Sequence, residues 1–125
     1  MNYIYVGIGG FVGAVLRYLI TISLTCGSLE IPLFTLIINL SGSFLLAYIT
    51  FYIFEKYKLA KPIKLALTTG LLGSFTTFST FSIELVTLLT SDKFFLASFY
   101  ATLSLLGGIA MAYLGYACHR KVVGL

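Results

Sequence analysis

Four apolar stretches, at about 3–24, 32–54, 62–89 and 94–118, occupy nearly the whole of this 125-residue chain. Each is at least as long as the ~20 residues a helix needs to cross the hydrocarbon core of a bilayer. Lipid offers the backbone no hydrogen-bond partners, so a spanning segment must satisfy its own N–H and C=O groups, and a helix does this within one segment. The expected fold is an all-α membrane protein: a single domain, 1–125, of four transmembrane helices in a lipid bilayer. With 59% hydrophobic and 10% charged residues there is no room for a soluble domain. The formal charge of +4 would point to nucleic acid in a soluble protein. Here it resides in lysines beside the spans, so no nucleic-acid partner is expected. The first stretch lacks a basic n-region and a small-x-small cleavage site, and reads as a retained span.

The connections carry their own punctuation. Gly27, Ser28 and Glu30 close the first gap, and Pro32 suits a helix start. Glu55, Lys56, Lys58, Lys61 and Pro62 form the second, and Ser91, Asp92 and Lys93 the third. With four spans, the two termini and the second connection share a side. That side holds Lys56, Lys58, Lys61, Lys64, Arg120 and Lys121, against Lys93 alone on the other. The positive-inside rule places both termini in the cytoplasm. Cys26 and Cys118 fit no metal spacing or disulfide framework and fall on opposite faces of the membrane.

Three helices place polar groups at one depth. Arg17 lies 14 residues into an outward-running span, ~21 Å from the inner face at 1.5 Å per residue. Asn39, seven residues into an inward-running span, lies ~20 Å from the same face of a ~30 Å core. Thr76 to Phe78 reach ~21–24 Å along the third span. Arg17 in mid-span requires a partner or water. Glu84, the one acid inside a span, either pairs with it or is solvated at the outer end of its own helix. Asn39 offers two donors and an acceptor, for a ligand or as glue between helices. Tyr100 and Ser104, four apart on one face of the last span, serve equally as structural hydrogen bonders or as a polar track.

The third span holds the sharpest signal, GLLGSFTTFSTFSIE at 70–84. Thr76, Thr77, Ser79, Thr80 and Ser82 crowd seven positions around Phe78 and Phe81. Two such rings alone would be core or lipid-facing. Amid hydroxyls, their positively polarised edges suit a path for a small anion. Gly70, Gly73 and the Thr76–Thr77 pair loosen this helix. A break at mid-membrane would free carbonyl oxygens of the kind that bind cations.

GFVGAVLRY at 10–18, TLIINLSGSF at 35–44 and GLLGSFTTFSTFSIE at 70–84 resemble the Fluc (CrcB-like) fluoride channels, and the likeness runs through all four helices. The resemblance implies passive, selective fluoride efflux from the cytoplasm across the cell (plasma) membrane, protecting against fluoride that enters as HF. It implies no enzymatic activity. It further implies an antiparallel dimer with two pores. Asn39 then takes the position of the pore asparagine, Phe78 and Phe81 those of the paired phenylalanines. Ser79 and Thr80 take pore hydroxyl positions, and Tyr100 and Ser104 a polar track. Gly73 and Thr76 would offer backbone carbonyls to a structural sodium ion at the dimer interface. Arg17 and Glu84 match the family's charged positions. The one-sided lysine distribution disfavours insertion in both orientations, so the expected partner is a homologous chain of opposite topology, in a heterodimer rather than a homodimer. The competing class is a small multidrug-type, proton-coupled cation exporter, whose coupling acid in the first span is here replaced by Arg17. A purely structural membrane subunit would leave the shared depth of the polar groups unexplained.

Overall fold

The computed structural model describes residues 2–24 and 32–123. Cys26, Gly27, Ser28 and Glu30, and the side chains of Arg120 and Lys121, lie outside the described residues. Every regular element described is helical: α1 Asn2–Leu24, α2 Leu33–Tyr48, α3 Phe54–Tyr57, α4 Lys61–Leu65, α5 Gly73–Phe75, α6 Phe78–Thr90 and α7 Phe94–Val123. Two π-helical stretches, Ile49–Ile53 and Ala66–Leu72, continue α2 into α3 and α4 into α5. Among the described residues, four helical runs are long and apolar enough to cross a membrane: Asn2–Ser23, Leu33–Tyr57, Lys61–Thr90 and Phe94–Cys118.

The ends follow local chemistry. Pro62 sits in the first turn of α4, where a missing N–H costs nothing. Lys58 closes α3 in the left-handed region, at φ 46°. Asp92 does the same after α6, at φ 58°. There the Lys93 N–H bonds the Leu88 carbonyl and the Asp92 N–H the Leu89 carbonyl, the two bonds of a Schellman motif with aspartate where glycine is usual.

Packing falls into two pairs. The first helix, α1, lies on the π-helical stretch 66–72 and on α5, while α2 lies on α7. Small residues set both approaches. A Cβ at Gly13 would run into the Leu71 carbonyl, and one at Gly115 would stand 2.5 Å from the Phe44 carbonyl oxygen. Side chains are thus excluded from the seams, as is usual where helices associate without a hydrophobic driving force. Ser74 Oγ adds a bond of 2.8 Å to the Gly10 carbonyl. The compact core is small, with Leu36, Leu88, Ala97 and Tyr100 meeting between α2, α6 and α7. Large apolar side chains such as Ile8, Phe11, Leu105 and Ile109 face outward, the inverse of a water-soluble fold. Cys118 is an exposed free thiol near the end of α7.

Candidate functional site

The site is built around an interruption in the third helical run. Thr76 turns extended at ψ 153° and Thr77 follows at φ −142°, ψ 119°, before α6 resumes at Phe78. An interruption strands backbone groups, and each one left buried without a partner costs about 1–3 kcal/mol. The Asn39 side chain takes up both groups of one residue. Its Oδ1 accepts from the Thr77 N–H at 2.8 Å, and its Nδ2 donates to the Thr77 carbonyl at 3.0 Å. These reciprocal bonds fix the orientation of the amide. They leave one Nδ2 hydrogen uncommitted.

Thr77, itself buried, then caps α6. Its Oγ1 accepts from the Thr80 N–H at 3.2 Å and donates to Thr80 Oγ1 at 2.9 Å, with Ser79 Oγ 3.2 Å away. A capping threonine contributes about 1 kcal/mol and starts the new helix in a defined direction.

One turn beyond Thr80 stands Glu84. Thr35 Oγ1 donates to its Oε1 at 2.7 Å, and Tyr100 Oη to its Oε2 at 2.8 Å. Both distances lie in the usual range for O–H···O bonds. Glu84 is therefore tied to α2 and α7 by hydroxyls. Arg17, on α1, lines a cavity of about 330 Å³ together with Glu84, Thr35, Thr77 and Thr80. The direct partners of Glu84 among the described residues are two hydroxyls, and Arg17 lines the same cavity without an ion pair to it.

The phenylalanines have separate surroundings. The Phe81 ring lies 5.1 Å from that of Tyr100, which is fully buried, and packs against the core. Phe78 lies 6.0 Å from Phe81 and is 80% exposed. It borders a second cavity, of about 300 Å³, with Asn39, Gly42, Ser43, Gly73, Thr76 and Thr77. Ser79 and Thr80 are exposed. Ser104 Oγ is buried and, among the described residues, makes no hydrogen bond.

The structure thus joins Asn39 to Thr77, Glu84 to Tyr100, Tyr100 to Phe81 and Thr80 to Thr77. It does not join Arg17 or Ser104 to any of these. Thr35 and Ser74 hold key bonds that sequence reasoning missed. For Thr35 a signal existed: Thr35, Asn39 and Ser43 recur every four residues and mark one polar face of the second helix.

A chain with four helical runs long and apolar enough to cross a membrane, one of them interrupted and spliced by an amide, belongs with multi-pass membrane proteins. A sequence model of the family described as "CrcB-like protein, Camphor Resistance (CrcB)" matches residues 4–116, and the chain belongs to that family. It is 49% identical over 110 residues to the "Fluoride-specific ion channel FluC 1" of Desulfitobacterium hafniense (strain Y51), covering 88% of this chain and 96% of that relative. The "Fluoride-specific ion channel FluC 2" of Staphylococcus saprophyticus is 39% identical over 122 residues, covering 98% of this chain and 99% of the relative. The protein of the same name from Carboxydothermus hydrogenoformans is 42% identical over 125 residues, all of this chain and 92% of the relative. The relatives are named as ion channels, not enzymes, in keeping with the sequence reading.

Proposed function

We propose that this chain is a subunit of a fluoride-selective channel giving passive efflux from the cytoplasm and so protecting against fluoride. The observation that carries this is its identity, over most of both chains, with relatives named fluoride-specific ion channels. The site's chemistry agrees. A small, strongly hydrated anion needs donors and positive ring edges in place of water. Asn39 keeps one amide hydrogen uncommitted, the Ser104 hydroxyl is buried without a partner among the described residues, and the Phe81 and Tyr100 rings lie side by side. Ser79 and Thr80 would line the path with Phe78 and Phe81, and Arg17 and Glu84 would set the charge of the cavity they share.

The working unit in this reading is an antiparallel dimer with two pores. The exposed Phe78 ring and the open cavity beside it, next to the helix break, would then be covered by a second subunit. The break itself would lie at mid-membrane, with both termini cytoplasmic. The lysine asymmetry favours a homologous partner of opposite topology, and the relatives' names, numbered 1 and 2, are compatible with paired chains. The family's structural sodium ion fits the break. The Thr77 N–H donates to Asn39 instead of to the Gly73 carbonyl four residues back, and Thr76 is extended. Gly73 and Thr76 would thus present carbonyl oxygens, the hard ligands such a cation takes.

The test is efflux from proteoliposomes loaded with fluoride or chloride, followed with ion-selective electrodes. Fluoride efflux without matching chloride efflux is expected, and no proton gradient should be needed. Equal rates for both anions would overturn selectivity, and a requirement for a proton gradient would favour the cation-exporter class. Expression alone, with both termini mapped, tests pairing: full flux with termini on both sides would establish a homodimer instead.

A further inference from the structure

At the lysine-bearing end of the bundle, α1 and the start of the third span enclose a cavity of about 480 Å³, apart from the site above and lined by Asn2, Tyr3, Val6, Lys61, Leu65 and Thr69. Its chemistry changes along its length. Asn2 and Lys61 begin the two helices, and Val6 and Leu65 follow one turn further in on each. Thr69 adds a hydroxyl one turn beyond Leu65. A charged mouth above an apolar wall is complementary to an amphiphile with an anionic head.

Neighbouring lysines are committed differently. The Lys56 ammonium lies over the rings of Tyr52 and Tyr57 and bonds Tyr52 Oη at 3.0 Å, and Lys64 lies over Phe54. Lys61 is exposed and, among the described residues, has no such ring; its side chain borders the cavity. The stretch from Glu55 to Lys64 carries four lysines against one glutamate, a net +3. Basic clusters next to a span attract anionic lipid, and a cavity with polar and apolar walls adds a defined place for one molecule.

We infer that this cavity binds the phosphate headgroup of an anionic phospholipid such as phosphatidylglycerol. Lys61 and the Asn2 amide hold the phosphate, Val6 and Leu65 face the glycerol esters and the upper acyl chain, and Thr69 lies deeper, away from the headgroup. The inference rests on the four-helix membrane architecture and is independent of the ion conducted.

Native mass spectrometry of the purified protein, exchanged into mixed phosphatidylglycerol and phosphatidylcholine and then stripped with detergent, would test it. Phosphatidylglycerol should be retained in preference, and K61Q should lower its retention about fivefold, the ratio one lysine near an anionic surface is worth. K61R should restore it, and T69V, deeper in the cavity than the headgroup, and K58Q, at the same end outside the cavity, should each leave it unchanged. Equal losses in K61Q and K58Q would reduce the effect to general surface charge and overturn the site. Equal retention of both lipids would also overturn it, and displacement of the lipid by millimolar inorganic phosphate alone would reassign the cavity to a free anion.

Discussion

The two halves of the third span are held in place by different means. Before the interruption, the 66–72 stretch and α5 lie against α1 mainly through close backbone approach, with Gly13 facing the Leu71 carbonyl, a Cβ at Gly70 reaching within 2.6 Å of the Val6 carbonyl, and Ser74 adding its bond to the Gly10 carbonyl. After it, α6 is held by side chains: Asn39 and Thr77 at its start, Thr35 and Tyr100 on Glu84 further along. The first half is positioned mainly by shape, the second mainly by directed hydrogen bonds. The functional groups gather on the second because hydrogen bonds fix the aim of a polar side chain, whereas a glycine seam fixes only the distance between helices.

Five substitutions separate these means, from the largest expected effect to the smallest. Gly13→Leu forces a branched side chain into the Leu71 backbone, a clash no rotamer relieves. It should abolish recovery of monodisperse protein on size-exclusion chromatography. Normal recovery would show that the seam yields, and the contrast between the halves would fail. Asn39→Leu strands the N–H and C=O of Thr77, at about 1–3 kcal/mol each. A thermal midpoint many degrees lower is expected, with fluoride flux down more than ~10-fold. An unchanged midpoint would show that Asn39 does not hold the break.

The phenylalanines sharpen the comparison within α6. Under the proposed function, Phe78→Ile and Phe81→Ile should each reduce fluoride flux about tenfold by removing a polarised ring edge. Only the Phe81 variant should also lower thermal stability, by roughly 1 kcal/mol, because Phe81 packs on Tyr100 while Phe78 is exposed. Full flux in both variants would remove the rings from the path. Lys58→Gly, in the connection leading to the third span, relieves a left-handed backbone at φ 46° and should raise stability by no more than about 1 kcal/mol in thermal unfolding.

Hydropathy made the four helices legible, because their apolar length depends on composition and not on tertiary detail. The special character of residues 70–84 was legible too, from hydroxyls crowded into an apolar run. Partners were harder to read. Glu84 had an obvious cation in Arg17, yet two hydroxyls reached it first, since α6 packs against α7 and α2 while α1 stands across a cavity. Many hydroxyls were also less available than their number implied: Ser82, Thr87 and Thr90 bond carbonyls within their own helix. The pitch of the π-helical stretches was not legible: ITFYI reads as ordinary apolar helix, and Gly70 in ALTTGLL marked a looser helix without specifying its winding. The fall of the polar groups into an amide splice and a hydroxyl-held carboxylate is set by helix rotation, which the period of a nearly uniform apolar sequence specifies weakly.

The splice at Thr77 bears on how the protein is made. Within the third span alone, the Thr77 side chain can cap α6 but cannot receive the N–H of its own residue, so that N–H needs an acceptor from elsewhere. Asn39, 38 residues earlier in the chain, supplies it. The order of synthesis suits this, as the second span is already threaded when Thr77 leaves the ribosome. The interruption in the third span is thus completed by a contact with the second, so its final shape depends on those two helices having met.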